Sequence, residues 1–335
     1  MKVAAITGPR QGGLVDQPDP RIADDFALVE IHVAPMCTEY HAYESGAESA
    51  CLGHEAAGRV VEVAQPGRVT VGDRVAVMPQ YPCGRCPLCL DGDYIYCQHA
   101  VDPLALCASE TGTATYAQYC IKQDWLLLPI ADDISYEHAS MACCGVGPAF
   151  GAARNLRLDG FDSLLVMGLG PVGLGAVICG SYLGARVIAA DPNPFRTSLA
   201  AELGAAVTLD PTVTGALDQV RDLTDGRGAD KAIDCTAVPA AQRFAVDATR
   251  RRGHVAFVGW GGGVDTGNLV PDGRTLQGSW HWNLNDTPRV MQLIRDCRDL
   301  LDRQITHTFP MSRVREAWEL QLTGQCGKVL LHPWQ

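Results

Sequence analysis

Ser163-Leu164-Leu165-Val166-Met167-Gly168-Leu169-Gly170-Pro171-Val172-Gly173 decides how the second half of this chain folds. A short apolar run is followed at once by glycines in the spacing Gly-x-Gly-x-x-Gly, and Pro171 stands where a helix would begin. A buried strand ending in such a turn lets the backbone approach a pyrophosphate. The helix that opens after it turns its N-terminal N–H groups toward that charge. The same stretch begins an uncharged run, Leu164–Ala185, of 22 residues, long enough to cross a bilayer. Its six glycines and Pro171 favour a strand, a turn and a packed helix over one continuous membrane span.

Beyond this stretch, the apolar runs Arg186–Ala190, Ala206–Leu209, Lys231–Asp234 and Gly253–Val258 alternate with helical segments such as Pro194–Leu203 and Pro239–Arg250. That rhythm predicts a doubly wound parallel sheet. Asp191 ends the strand after the glycine turn, where a carboxylate accepts from the ribose hydroxyls of a dinucleotide and repels a 2′-phosphate. The expected cofactor is therefore NAD, although Arg196 stands five residues on and offers a cation to that phosphate.

Before Ser163 the texture differs. Alternating apolar positions in Phe26–Val33, Arg59–Ala64 and Tyr116–Ile121 predict strands of a mostly antiparallel sheet. After Trp280 the pattern predicts helices near Pro288–Leu301 and Arg313–Leu322 and a strand at Lys328–Leu331. These are too few for a third domain, so the tail is expected to return to the first. The expected division is 1–149 with 285–335 against 150–284, with a cysteine lobe at about 80–100.

Composition sets the outer bounds. With 47% hydrophobic and 19% charged residues, the 335-residue chain is globular rather than disordered. A formal net charge of −11 opposes binding to nucleic acid or to an anionic membrane, both of which need clustered Lys and Arg. The apolar run at Met1–Thr7 is too short for a signal peptide, so the expectation is a cytoplasmic protein whose 14 cysteines stay reduced.

Four of those cysteines, Cys83, Cys86, Cys89 and Cys97, fall in one loop with Pro82, Gly84, Pro87 and Gly92. Four thiolates suit tetrahedral zinc and leave no open position, which makes the site structural. An iron–sulfur cluster uses the same ligands. A second, scattered set comprises Cys37, Gly53-His54-Glu55 and the pair Cys143-Cys144. Three protein ligands and one open position are what a catalytic zinc requires, and Cys, His and Cys from separate loops supply them.

Taken in order, these motifs resemble the zinc-dependent alcohol dehydrogenases of the medium-chain dehydrogenase/reductase superfamily over essentially the whole chain. The resemblance rests on Cys37, Gly53-His54-Glu55-Ala56-Ala57-Gly58, Val71-Gly72-Asp73-Arg74-Val75, the cysteine lobe, the glycine turn, Ile305–Pro310 and Gly327-Lys328-Val329. It implies an α/β chain with a GroES-like, mostly antiparallel catalytic domain and a Rossmann domain. It also implies NAD, two zinc ions per chain, and assembly as a homodimer or homotetramer. The implied reaction interconverts a secondary alcohol of polyol, sugar or cyclitol type with a ketone.

By the family's register, Cys144, seven residues before Gly151, joins Cys37 and His54 at the catalytic zinc, with Glu55 as an alternate or supporting ligand. Cys235-Thr236 and Gly259-Trp260 fall where the family meets its cofactor. Gly278-Ser279-Trp280-His281 matches a segment beside the substrate mouth, where Trp280 either lines substrate or serves packing. One place departs from the family: Cys37-Thr38-Glu39-Tyr40-His41 is one residue short. A gap directly after Cys37 makes Thr38 the proton-relay hydroxyl, Glu39 the carboxylate orienting a zinc ligand and His41 the outer relay. Any other gap puts Glu39 in the relay position. Two other functions fit the same motifs: a reductase of conjugated or iminium substrates that has lost zinc-assisted oxidation, and a non-enzymatic sensor of zinc and dinucleotide.

Overall fold

In the computed structural model, which describes residues 1–264 and 268–335, the chain divides into two units. One contains Met1–Cys144, Asn283–Arg298 and Ile305–Gln335, and the other contains Gly145–Trp282 and Asp299–Gln304.

The first unit is built on a seven-stranded sheet around Phe26–Pro35. That strand pairs antiparallel with Ala56–Val63 on one side and with Tyr119–Gln123 on the other. Its far end pairs with Lys328–His332 through Leu330 opposite Pro35 and Leu331 opposite Ala34. Neighbours on both sides explain why Val29, Ile31, Val33 and Ala34 are all fully buried. The core that Val29, Ile31 and Ala34 enter also holds Val60, Val75, Val77, Tyr116 and Trp318.

The second unit carries six parallel strands in the order Val207–Leu209, Arg186–Ala190, Ser163–Met167, Ala229–Asp234, Thr249–Phe257 and Thr275–Gly278. Numbered along the chain this is 3-2-1-4-5-6, the dinucleotide-binding order, whose switch point lies beside the strand that ends at Met167. Leu165, Met167, Ile188, Ala232 and Val255 form its core.

Several boundaries differ from the sequence expectation. The strand expected from Tyr116 begins at Tyr119, because the Tyr116 N–H donates to Leu52 O instead of to a ladder. The helix expected to reach Arg250 ends at Ala248, and Thr249 turns extended to begin the next strand. The helix expected at Pro288–Leu301 breaks at Cys297 into Thr287–Asp296 and Arg298–Gln304. Residues 299–304 belong to the parallel-sheet unit, not to the antiparallel one, because buried Gln304 donates to Gly145 O and Pro171 O. Residues 145–149 join the same unit, where Gly175 sits so close to Gly145 O that a Cβ would lie 2.1 Å from it. Among the described residues no helix is long and apolar enough to cross a membrane.

Candidate metal and cofactor sites

The lobe cysteines sit on a loop whose only regular pieces are a one-turn helix, Pro87–Leu90, and a 3-10 turn, Tyr94–Tyr96. Cys86 and Cys89 lie one helical turn apart, with Sγ atoms 3.5 Å apart. Cys97 closes the set at 3.9 Å from Cys86 and 3.6 Å from Cys83. Four sulfurs about 2.3 Å from a tetrahedral zinc stand about 3.8 Å from one another, so this donor set fits the ion. The N–H groups of Cys83 and His99 both point at Cys97 Sγ, each at 3.3 Å.

The second set is assembled from separate places in the first unit. Cys37 follows the central strand, His54 and Glu55 precede the strand Ala56–Val63, and Cys144 lies past the short helix Tyr136–Ser140. Their ligand atoms all lie within 4.8 Å of one another. His54 Nε2 is 3.3 Å from Cys144 Sγ and 3.9 Å from Glu55 Oε1. The Cys144 thiol hydrogen-bonds to Cys37, holding Cys37 well below the usual thiol range and Cys144 well above it. Two thiols beside an imidazole, with ligand atoms this close, suit a divalent metal that displaces their protons. Cys143 points elsewhere: its buried thiol donates to Val77 O at 3.0 Å.

Around these donors lies a layer of buried ionisable side chains, among which burial pushes Glu55 up to about 7. Glu39 opens the helix Glu39–Ser45, and its Oε1 lies 2.9 Å from His54 Nδ1. Its Oε2 accepts from the Tyr116 hydroxyl at 2.8 Å and from Cys37 N at 3.2 Å. Burial works against this carboxylate, but the bonds from His54 and Tyr116 prevail and lower it to about 2. On the other side, Glu55 and Lys328 form a fully buried ion pair at 2.7 Å, and Glu55 Oε2 also accepts from Cys144 N at 2.9 Å. Burial opposes the charge of Lys328, yet the attraction of Glu55, Cys37 and Cys144 outweighs it and keeps the ammonium protonated. Glu55 thus belongs to the donor cluster and has both oxygens engaged. Thr38, which caps the short helix, and His41 within it are both exposed, linked by the bond from His41 N to Thr38 O at 3.0 Å, with the Tyr40 ring tilted against His41 at 4.1 Å.

Sequence reading left two participants unassigned. Lys328 was visible only as part of a closing motif, although a lysine inside Lys-Val-Leu-Leu, a run that must be buried, needs a buried anion. Tyr116 carried no signal beyond its place in an apolar alternation.

In the second unit the glycine turn has the geometry its spacing implies. Gly168 adopts φ +84°, and a Cβ on Gly173 would lie 1.8 Å from Gly168 O, so only glycine fits there. Pro171 and Val172 open the helix Pro171–Tyr182, with Gly170 at its cap. Asp191 follows the neighbouring strand and ties the turn down, accepting from Leu169 N at 2.7 Å and from Asn193 N at 2.8 Å. Arg196 Nη1 is 3.8 Å from Asp191 Oδ2, so the cation and the carboxylate stand side by side. Cys235 and Thr236 end the next strand, with Thr236 donating to Asp234 at 2.6 Å. Gly259 packs against that turn. Beyond it Trp260 is exposed, edge-on to Trp280 at 5.0 Å.

Comparison with known proteins agrees in both units. Residues 23–132 match the alcohol dehydrogenase GroES-like domain and residues 171–296 the zinc-binding dehydrogenase domain. An L-threonine 3-dehydrogenase of Symbiobacterium thermophilum is 31% identical over 339 residues, covering 96% of this chain and 94% of that protein. A sorbitol dehydrogenase of Bacillus subtilis is 29% identical over 355 residues, covering 99% and 97%. Among solved structures, an alcohol dehydrogenase of Thermus sp. ATN1 shares the fold with a TM-score of 0.89 at 24% identity, covering 99% of each chain.

Proposed function

Because this chain is an oxidoreductase of the zinc-dependent alcohol dehydrogenase family, we propose that it interconverts a secondary alcohol and a ketone with NAD as its partner. Polyols, sugars or cyclitols are its substrate class. The observation that carries this reading is the convergence of Cys37, His54 and Cys144 with the second nitrogen of His54 held by Glu39. Zinc held by those three residues would polarise the substrate oxygen, and a nicotinamide would accept the hydride.

The chain's own residues do the rest. Glu39 keeps the proton on His54 Nδ1 and leaves Nε2 as the donor. With Glu39 occupied in that way, Thr38 is the hydroxyl that accepts the alcohol's proton while giving its own to exposed His41, which releases a proton to water. Glu55, neutralised by Lys328, supports Cys144 through its backbone. In the parallel-sheet unit, read as the NAD-binding domain, Asp191 exchanges its bond to the glycine turn for the ribose hydroxyls and repels a 2′-phosphate. The four lobe cysteines hold a second, structural zinc. Sorbitol dehydrogenase among the relatives supports a polyol, and 14 free thiols suit the reducing cytoplasm.

Metal analysis and steady-state kinetics test this together. Two zinc ions per chain, turnover of polyols and a preference for NAD are expected. Asp191→Ala should narrow the NAD to NADP ratio by roughly ten- to a hundredfold, since a site built to bond a hydroxyl loses its discrimination with that group. One zinc per chain with no alcohol turnover would overturn the reading.

A further inference from the structure

Tyr116 lies outside any strand or helix, with its ring and hydroxyl fully buried. A buried phenol needs partners, and here both bonds run to the ligand-bearing loops. The hydroxyl accepts from Cys37 N at 3.1 Å and donates to Glu39 Oε2 at 2.8 Å. The directions are fixed, because a backbone N–H only donates and a carboxylate only accepts. Glu39 spends its other oxygen on His54 Nδ1 at 2.9 Å. One phenol therefore touches both the backbone of one metal-ligand candidate and the carboxylate that orients another.

Without the hydroxyl, the only remaining tie between Cys37 and Glu39 in this network is the 3.2 Å contact from Cys37 N, made across two residues of the same turn. The ring itself has a separate job, since it packs so closely on Gly53 that a Cβ there would lie 2.6 Å from Tyr116 Cδ1. Tyr116→Phe keeps that packing and removes the hydroxyl alone.

We propose that Tyr116 is a positioning residue of the Cys37–His54–Cys144 site: its hydroxyl clamps the Cys37 turn to Glu39, fixes the ring and tautomer of His54, and so sets how long the site retains its metal. This rests on the reading of that cluster as a metal site. Hydrogen bonds one shell out from a metal commonly change its affinity by about 10- to 100-fold when removed.

The test follows zinc release to excess chelator from the purified, zinc-loaded protein, using a colorimetric dye. Cys144→Ser identifies the phase that belongs to this site, and the four-cysteine lobe serves as an internal reference. In Tyr116→Phe the phase of this site is expected to accelerate about 10- to 100-fold, with the lobe phase unmoved. With cobalt in place of zinc, the thiolate-to-metal absorption band of this site should shift in the variant. Because the hydroxyl acts through Glu39, the effects of Tyr116→Phe and Glu39→Gln should fall short of additive in the double variant. Unchanged release, equal acceleration of both phases, or full additivity would each overturn the proposal. A wild-type protein holding one zinc per chain would overturn the reading of the site, and the proposal with it. Two zinc ions in the wild type with unaltered release in Tyr116→Phe would overturn the proposal alone.

Discussion

The 15 residues from Cys83 to Cys97 carry every donor of the lobe, whereas the donors Cys37, His54 and Cys144 are spread over 108. In the lobe, two turns and one helical step bring the sulfurs together, so convergence is local. In the other set, convergence depends on the central sheet and on two carboxylates, a lysine and a phenol that hold the donors from behind. Donor sets able to hold a metal are thus brought together by chain proximity in one place and by a buried polar network in the other. The first should fail when a ligand is lost. The second should fail when any supporting charge is lost.

The largest effect should come from the ligands. Cys97→Ser is expected to unravel the lobe, since structural zinc contributes on the order of 10 kcal/mol of folding free energy in small zinc modules; melting followed by circular dichroism should show it. Cys144→Ser should leave the melting curve near wild type but lower alcohol turnover roughly a thousandfold, several kcal/mol of barrier. A Cys144→Ser protein that melts as early as Cys97→Ser would erase the distinction between the two sites.

Next comes the network itself. Lys328→Met strands the Glu55 carboxylate, which is 0% exposed, and should cost about 3–5 kcal/mol. Adding Glu55→Gln should recover part of that loss, because an apolar or neutral pair is tolerated where a lone buried charge is not. Denaturant unfolding of the two variants checks this. If the double variant is the less stable one, Glu55 is held by something other than Lys328.

The contrast also explains what was legible in the sequence. Spacing announces a site when the donors are neighbours, which is why the lobe and the glycine turn could be read directly. The register at Glu39 could not, because one missing residue after Cys37 leaves two alignments and only the fold puts the carboxylate on His54. Tyr116 was read as part of a strand because its neighbours alternate, and nothing local shows that its N–H bonds Leu52 instead. Lys328 needs a partner 273 residues away, a pairing that only the closing strand of the sheet creates. Helix ends at Ala248 and Asp296 were blurred for a similar reason. Thr249 is drawn into the parallel sheet, and Gln304 is fixed by carbonyls far along the chain.

A smaller effect concerns the root of the lobe. Lys122 donates to Gln80 O at 2.9 Å and sits over the Tyr81 ring at 3.6 Å, while Gln123 bonds Pro82 O at 2.7 Å. This strand therefore grips the residues that lead into Cys83. Burial lowers Lys122 from 10.5 to about 8. Between those values the unfolded chain binds more protons than the folded one, so this lysine adds stability as pH rises, while below about 8 its full burial cost stands. The stability of wild type relative to Lys122→Met should climb by about 2–3 kcal/mol between about pH 8 and 10. Unfolding at a series of pH values measures the difference, and a flat or falling difference would show that the amine is not desolvated there.

The mildest test asks whether the lobe, for all its local construction, borrows any distant support. Asn283 Nδ2 donates to Asp91 O at 2.7 Å and to Asp93 Oδ1 at 2.8 Å, and Leu284 N donates to Gly92 O at 3.0 Å. A segment some 190 residues away in sequence thus braces the loop between Cys89 and Cys97. Asn283→Ala removes two of these bonds but leaves the backbone bond from Leu284, and water can reach the exposed acceptor at Asp91. A loss of about 1–2 kcal/mol is the expectation, which should appear as release of the lobe metal accelerated by up to about thirtyfold with the Cys37–His54–Cys144 phase unchanged. If the second phase moves instead, the two sites share their supports, and the contrast between chain proximity and a separate buried network fails.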